Sequence, residues 1–140
     1  MGLDIYCRWD GMTLQEKQAQ YTGYADAASA GYLRYNWPGV RFVFEVAEEL
    51  SIQSPITALW PGWEGYNGEE LLINAKEMAR LVETRATLAV WLANVPDDLL
   101  RAAETEDGRG YFLDKMKATV SLIDFIEAHK SRVGLRVEFN

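Results

Sequence analysis

The sequence has few of the residues on which covalent and metal chemistry depend. It contains one cysteine and one histidine in 140 residues. Cys7 therefore cannot form an intramolecular disulfide, which is typical of proteins in a reducing cytoplasm. A zinc site would need Cys7 and His129 together with carboxylates, an uncommon ligand set. We interpret Cys7 as a small buried apolar residue and His129 as a structural or surface residue; a Cys–His nucleophilic pair is the alternative.

Long apolar runs and the common catalytic motifs are also missing. The longest apolar candidate, around residues 88–93, is far too short to span a membrane, and the N-terminus lacks the basic start and apolar run of a signal peptide. No P-loop, dinucleotide fingerprint, G-x-S-x-G elbow or H-E-x-x-H motif occurs. We therefore expect a protein without catalytic activity, cofactor or metal.

Basic residues are scarce in the middle of the chain. The net charge is −7, and residues 45–107 alone carry thirteen acids and four bases. Such a segment repels a phosphate backbone, so we expect no direct nucleic-acid binding. The same field attracts a basic surface on another protein, although acidity that only keeps the chain soluble is the alternative.

Two segments near the ends of the sequence alternate apolar and polar residues, as strands with one buried face do. The apolar positions are Leu3, Ile5, Cys7 and Trp9 in the first segment and Leu135, Val137 and Phe139 in the last. We expect these two strands to pair with each other. Because a two-stranded ribbon is marginally stable, helices must cover its apolar face.

Several helices are predicted between these strands. Thr13 and Glu16 form a capping box, so a helix begins at Thr13 and runs toward residue 30. Residues 31–36 are predicted to be a short strand or extended connection. Residues 38–50 fit either helical or strand spacing, and we favour a helix opened by Pro38.

The clearest helical pattern covers residues 67–94. Asn67 is the predicted N-cap, with Glu69 and Glu70 in the first turn, and the helix ends at an Asn-Val-Pro sequence. Its segment LAVWLA is apolar on all sides, which predicts burial on several sides. A short acidic helix follows, and the last helix is predicted over residues 111–130.

These patterns together predict one α+β domain over residues 1–140. We expect a small antiparallel sheet that contains the N- and C-terminal strands. We expect three or four helices to pack against that sheet.

The segment ALWPGWEGYNGEELL, residues 58–72, concentrates aromatic rings in a loop rich in glycine. Trp60, Trp63 and Tyr66 cannot all face one way by any regular period. One interpretation is that the rings close the core as a lid over the long helix. Another is that at least one ring is exposed for recognition, because tryptophan and tyrosine bury a large area at low entropic cost.

Four segments occur in the same order as in a group of small uncharacterised phage and prophage proteins: MGLDIY, GYLRYN, NGEELLINAKEMARLVE and GRGYFLDKMKATVSLIDFIEAH. The chain resembles that group, with Leu33 and Tyr35 standing where its members carry an aromatic residue and a lysine. The resemblance implies an origin in a mobile element and a cytoplasmic location, and it implies no activity.

Three functions are consistent with these features. The first is a non-enzymatic protein that binds and inhibits a basic host protein, for example an anti-defence factor directed at a CRISPR effector. The second is a small-ligand or nucleotide-signal sponge whose pocket contains Trp37, Trp60, Trp63 and Arg34. The third is a carboxylate-based hydrolase. The predicted binding residues are aromatic, acidic and one arginine: Arg34, Trp37, Trp60, Trp63, Glu64, Tyr66, Glu69, Glu70, Asp97, Asp98, Glu104, Glu106 and Asp107.

Overall fold

Four strands form one antiparallel sheet in the order β2–β1–β4–β3. A computed structural model describes residues 2–21, 25–103 and 109–140, without the side chains of 101–103. The strands are β1 (Gly2–Arg8), β2 (Tyr32–Asn36), β3 (Glu69–Leu72) and β4 (Arg136–Phe139). The terminal strands β1 and β4 are central neighbours in this sheet. The predicted α+β class and the pairing of the terminal strands are therefore confirmed.

Six α-helices are present in the described part of the chain, more than the three or four predicted. They are α1 (Leu14–Gln20), α2 (Trp37–Leu50), α3 (Pro55–Leu59), α4 (Ala75–Ala93), α5 (Asp97–Ala103) and α6 (Arg109–Ala128), with a 3₁₀ turn at Ala28–Ala30. The helix α3 was not predicted; it is a single turn opened by Pro55 and capped by Ser54.

The core lies between one face of the sheet and α6. On β1 the predicted alternation is confirmed, because Leu3, Ile5 and Cys7 are buried while the residues between them are partly exposed. The helix α6 turns a buried stripe toward these strands. The apolar residues of that stripe are Phe112, Leu113, Met116, Leu122, Ile123 and Ile126. The opposite face of the sheet carries mainly charged residues and tyrosines.

The predicted starts of two helices are confirmed. Thr13 and Glu16 form both hydrogen bonds of the capping box at the start of α1, which ends earlier than predicted, at Gln20. Residues 37–50 are helical, as favoured, because the Asn36 side chain accepts a hydrogen bond from the Gly39 N–H and Pro38 occupies the first turn.

The predicted start of the helix over residues 67–94 is wrong. Glu69 and Glu70 lie on strand β3 rather than in a first helical turn. Gly68 has a φ of 87°, which ends any helix, and its N–H donates to the Phe139 carbonyl 2.7 Å away. The helix α4 begins after Asn74, whose side chain accepts from the Glu77 N–H, and its 19 residues give a length of roughly 28 Å.

The predicted burial of the LAVWLA segment is also wrong. Leu88 is buried, but Val90 is 64% exposed and Ala93 is exposed. The helix α4 packs one face against α6 and turns the other face to solvent. Leu81 and Leu88, seven residues apart, are its fully buried positions, so one narrow stripe anchors the helix.

Candidate functional site

Two of the predicted loop aromatics pack against the core, at Phe139 of β4 rather than over the predicted long helix. The ring of Trp60 lies 5.3 Å and that of Trp63 5.6 Å from the ring of buried Phe139, measured between centroids. Both tryptophans remain partly exposed. The Trp63 indole N–H donates to the Tyr66 carbonyl at 3.0 Å, and the Tyr66 side chain is 65% exposed. The rings of Trp60 and Trp63 thus hold the loop against the core, and the ring of Tyr66 faces solvent.

The structure does not bring Arg34 together with these tryptophans. The Arg34 guanidinium lies 2.8 Å from the Asp4 carboxylate on the charged face of the sheet. Trp60 and Trp63 contact Phe139, which belongs to the buried face of the same sheet. The ligand pocket suggested for these residues would need them on one side of the sheet, and they lie on two.

The predicted acidic residues are distributed over different elements. Glu64 is exposed in the aromatic loop and Glu70 is exposed on β3, whereas Glu69 points inward. Asp97 and Asp98 are exposed in the first turn of α5, where carboxylates stabilise the helix dipole. The remaining three predicted acids, Glu104, Glu106 and Asp107, lie outside the described residues.

The outer face of α2 carries aromatic residues at its start and carboxylates at its end. Pro38, Phe42, Glu45 and Glu49 follow one another at spacings of four, three and four, so they share one side of the helix. We define the α2 surface by the outward residues of this helix: Trp37, Pro38, Arg41, Phe42, Glu45, Glu48 and Glu49. Of the residues predicted for the binding surface, Trp37 is the one that belongs to it.

Two recesses flank Phe42 in the aromatic half of the α2 surface. One, of about 330 Å³, is lined by Trp37, Pro38, Arg41, Phe42 and Glu45. The other, of about 350 Å³, is lined by Asn36, Pro38, Gly39, Phe42 and Tyr111. A Cβ at position 39 would collide with the Tyr111 hydroxyl, so only glycine lets Tyr111 lie against the start of α2. The result is a ridge of partly exposed rings with a hollow on each side.

The acidic half of the α2 surface borders a third recess, of about 380 Å³. Glu49 and Asp98 line it from α2 and α5, together with Leu50, Pro96, Leu99 and Arg109. Arg109 forms an ion pair with Glu49 at 2.7 Å. For Glu45 and Glu48 the described part of the chain provides no cation within ion-pair distance, so these two carboxylates face solvent.

An ion pair between buried Lys115 and partly exposed Asp26 lies behind the aromatic half of the α2 surface. The Lys115 ammonium lies 2.9 Å from both carboxylate oxygens of Asp26, and its third hydrogen bond goes to the Arg34 carbonyl. It also lies over the rings of Tyr35 and Tyr111, 4.8 Å and 5.2 Å from their centroids. The ammonium is thereby fully hydrogen-bonded and holds Tyr111 at the edge of the recess.

The Tyr35 hydroxyl beside this pair is buried and has no hydrogen-bond partner among the described residues. Burial raises the pKa of Tyr35 well above its usual value, with smaller contributions from Tyr111 and Asp26, while the nearby Thr119 side chain lowers it without meeting the geometry of a hydrogen bond. Burial, and then Asp26, raises the pKa of Tyr111 to about 12. Both phenols are neutral in the folded state at pH values where the unfolded chain already ionises.

Replacing Tyr35 with phenylalanine is expected to raise the free energy of unfolding by about 1 kcal/mol at neutral pH, because an unpaired buried hydroxyl is removed. The contribution of Tyr35 to the stability of the wild-type protein should be constant below about pH 10 and fall above it, since the unfolded chain then binds fewer protons. The variant should lose less stability in that range. Urea unfolding at about pH 7 and about pH 11 measures both effects. Tyr66→Phe, at an exposed position, is the control, and a Tyr35→Phe variant less stable than wild type at neutral pH would contradict this reading.

Cys7 and His129, whose residue types are often catalytic, both make packing contacts in this structure. Cys7 is fully buried, and burial raises the pKa of its thiol to about 12. The His129 ring stacks on Trp9 with centroids 4.7 Å apart, and its Nδ1 lies 2.7 Å from the Phe125 carbonyl.

Within residues 2–21, 25–103 and 109–140, no three His, Cys, Asp or Glu side chains are grouped so that they could hold a metal ion. None of the helices described there combines the length and apolar character of a membrane span.

Comparisons with known proteins identify no relative of this chain. It matches no protein-family model, no curated protein and no solved structure. The resemblance of its segments to phage and prophage proteins therefore remains a hypothesis about origin and assigns no role to any residue of the α2 surface.

Sequence reasoning missed Phe42, Tyr111 and Lys115 as members of this region. Phe42 lies off the buried stripe of α2, which contains Val40, Val43 and Ala47, so a large aromatic side chain outside that stripe was the available signal. Lys115 is a charged residue at a buried position of α6, which predicts a buried partner. The partner, Asp26, is 89 residues away in sequence and could not be predicted.

Proposed function

We propose that this protein is a non-enzymatic binding protein that docks the α2 surface onto a basic surface of another protein. The observation that supports this most directly is the placement of Glu45 and Glu48 in the C-terminal half of α2, with no ion-pair partner among the described residues and no basic residue in the last turn of the helix. Carboxylates at that end add to the negative end of the helix dipole and cost stability. A cationic partner would offset that cost.

The aromatic half of the surface supports the same proposal. Trp37 and Phe42 are partly exposed and border recesses of about 330–350 Å³, each large enough for a side chain of a partner. Aromatic side chains in such positions supply much of the energy of protein interfaces, and charges at their border steer the partner and fix its orientation. The proposed partner therefore places an apolar side chain beside Phe42 and lysine or arginine beside Glu45 and Glu48.

The resemblance to phage and prophage proteins supports a bacterial host cell as the place of this binding. In that setting the protein acts in the cytoplasm of a bacterial host and inhibits a host protein, for example an effector of a defence system. The acidic balance of residues 45–107 favours a protein partner over nucleic acid.

Capture experiments with matched variants test the proposal. The immobilised protein is exposed to a bacterial lysate from about 50 mM to about 500 mM salt. We expect capture of a basic protein that weakens with salt, and a loss of at least about tenfold with Glu45→Lys and with Phe42→Ser. Glu83→Lys makes the same charge change on the exposed side of α4 and should leave capture unchanged. Capture that ignores salt, or that Glu83→Lys reduces as much as Glu45→Lys, would argue against the α2 surface.

A further inference from the structure

The two outer edges of the sheet differ in whether their backbone groups are paired. At β2, Tyr32 exchanges backbone hydrogen bonds with Ala27, at 3.0 Å and 3.1 Å, and the Arg34 N–H donates to the Asp26 carboxylate at 2.9 Å. The segment before β2 thus folds back and closes that edge. An edge closed in this way cannot accept another strand.

The edge at β3 is open. The Ile73 N–H donates to the Leu135 carbonyl at 2.9 Å, in the same register that pairs Leu71 with Val137. Because hydrogen-bonded pairs alternate along an antiparallel ladder, the backbone groups of Leu71 face β4, and those of Glu70 and Leu72 point away from the sheet. In the described parts of the chain these outward groups have no hydrogen-bond partner.

The surroundings of this edge are acidic and partly apolar. The sequence contains no lysine or arginine from residue 42 to residue 75, while Glu64, Glu69 and Glu70 fall within that range near the edge. One carboxylate oxygen of Glu69 is buried, and no described residue forms a hydrogen bond with it. The side chains of Tyr66 and Leu72 are 65% and 60% exposed.

Two described cations lie near this edge: Lys130, which lines a recess with Ile73 and Asn74 just after β3, and Arg136. The Arg136 guanidinium is 3.7 Å from Glu70, but it is also bound to Asp10 at 3.2 Å and to Glu138 at 2.9 Å. Its charge is therefore shared among three carboxylates, and the edge remains acidic.

We propose that β3 is a docking edge for an extended, basic segment of a partner protein, which adds to the sheet as a fifth strand. The outward backbone groups of Glu70 and Leu72 supply the hydrogen bonds of strand addition, and alternate side chains of the added strand meet the Glu70 carboxylate and the exposed side chain of Leu72. A second copy of this chain fits less well, because it would place the same acidic edge against itself. This inference does not depend on the α2 surface, since β3 lies at the opposite edge of the sheet from β2, which leads into α2.

Amide hydrogen exchange measured by NMR tests this edge directly. The probe is a blocked hexapeptide of alternating lysine and valine, compared with one of alternating glutamate and valine. We expect the lysine peptide to slow exchange of the Glu70 and Leu72 amides at least about fivefold, while Leu71 and Ile73, already bonded to β4, change little. The glutamate peptide should have no effect at the same concentration.

Two variants at one position separate strand addition from side-chain contact. Leu72→Pro removes an outward N–H without removing a bond to β4, and should abolish the protection at Glu70. Leu72→Ala keeps the N–H and should retain it. If Leu72→Pro does not fold, the lysine peptide with alternate amides N-methylated replaces it and should give no protection to the wild-type protein. Equal protection by both hexapeptides, protection that appears with protein concentration alone, or no protection by the lysine peptide would each overturn the proposal.

Discussion

Replacing Phe139 with alanine is expected to lower the free energy of unfolding by about 4 kcal/mol, the largest effect of any single substitution considered. Phe139 is fully buried, lies between β1 and β3 in the sheet, and contacts the rings of Trp60 and Trp63. Its removal leaves a cavity at the point where the aromatic loop meets the core. Urea unfolding should show the loss, and tryptophan fluorescence should shift to longer wavelength as both indoles gain water.

Tyr66→Ala is the matched control for this prediction. It removes a large ring from the same loop, but that ring is 65% exposed and its carbonyl, which accepts the Trp63 N–H, is retained. We expect a change within about 0.5 kcal/mol. If Phe139→Ala cost no more than Tyr66→Ala, the aromatic loop would not be closing the core.

Replacing Asp26 with alanine is expected to cost about 3 kcal/mol, whereas replacing Lys115 with methionine should cost about 1 kcal/mol. The Lys115 side chain is 9% exposed and that of Asp26 is 25% exposed. Removing Asp26 leaves the Lys115 ammonium buried without its carboxylate partner. It also removes the carboxylate that accepts the hydrogen bond from the Arg34 N–H. Removing the ammonium instead leaves Asp26 within reach of water, and methionine fills the space of the lysine stem. Thermal unfolding of both variants measures the difference.

Asp114→Ala provides the control for the Asp26 variant, because Asp114 is exposed on α6 beside Lys115 in sequence. It should unfold within about 2 °C of the wild-type protein. Equal losses for Asp26→Ala and Lys115→Met would mean that the ion pair contributes as a pair and that the burial of the ammonium is unimportant.

The elements that could be predicted are those whose signal is local. The terminal strands alternate over several residues, and the caps of α1 and α2 depend on residues three apart, so these features follow from short stretches of sequence. The class of the fold follows in turn, since two strands of this pattern must pair and be covered by helices.

The strand β3 could not be predicted from the sequence. Asn67 and Asn74 are both followed by a glutamate three residues later, so both satisfy the same local capping rule. The choice between them is made by β4, which pairs with Glu69–Leu72 from more than sixty residues away. Strand pairing at that separation cannot be detected in the local sequence pattern. Because of this pairing, Glu69 and Glu70 lie on a sheet edge and not in the predicted helix.

The residue types of the candidate site were predicted, but only some of its residue positions were. Acidic and aromatic residues do share a surface, but Trp37 is joined there by Phe42 and Glu45 on α2 rather than by Trp60 and Trp63. The tryptophans of the loop follow proline and glycine, which indicate an irregular segment but not the direction of each ring. That direction is set by Phe139, which both rings contact.

The α2 surface is tested most directly by site-specific photo-crosslinking in a bacterial lysate. A benzophenone amino acid is placed at position 45, on the α2 surface, and in a second protein at position 83, on the exposed side of α4. The proposal predicts one discrete adduct with a basic protein from position 45, lost at high salt and lost when Phe42→Ser is added, and no adduct from position 83. Adducts of equal yield from both positions, or an adduct from position 83 alone, would contradict it.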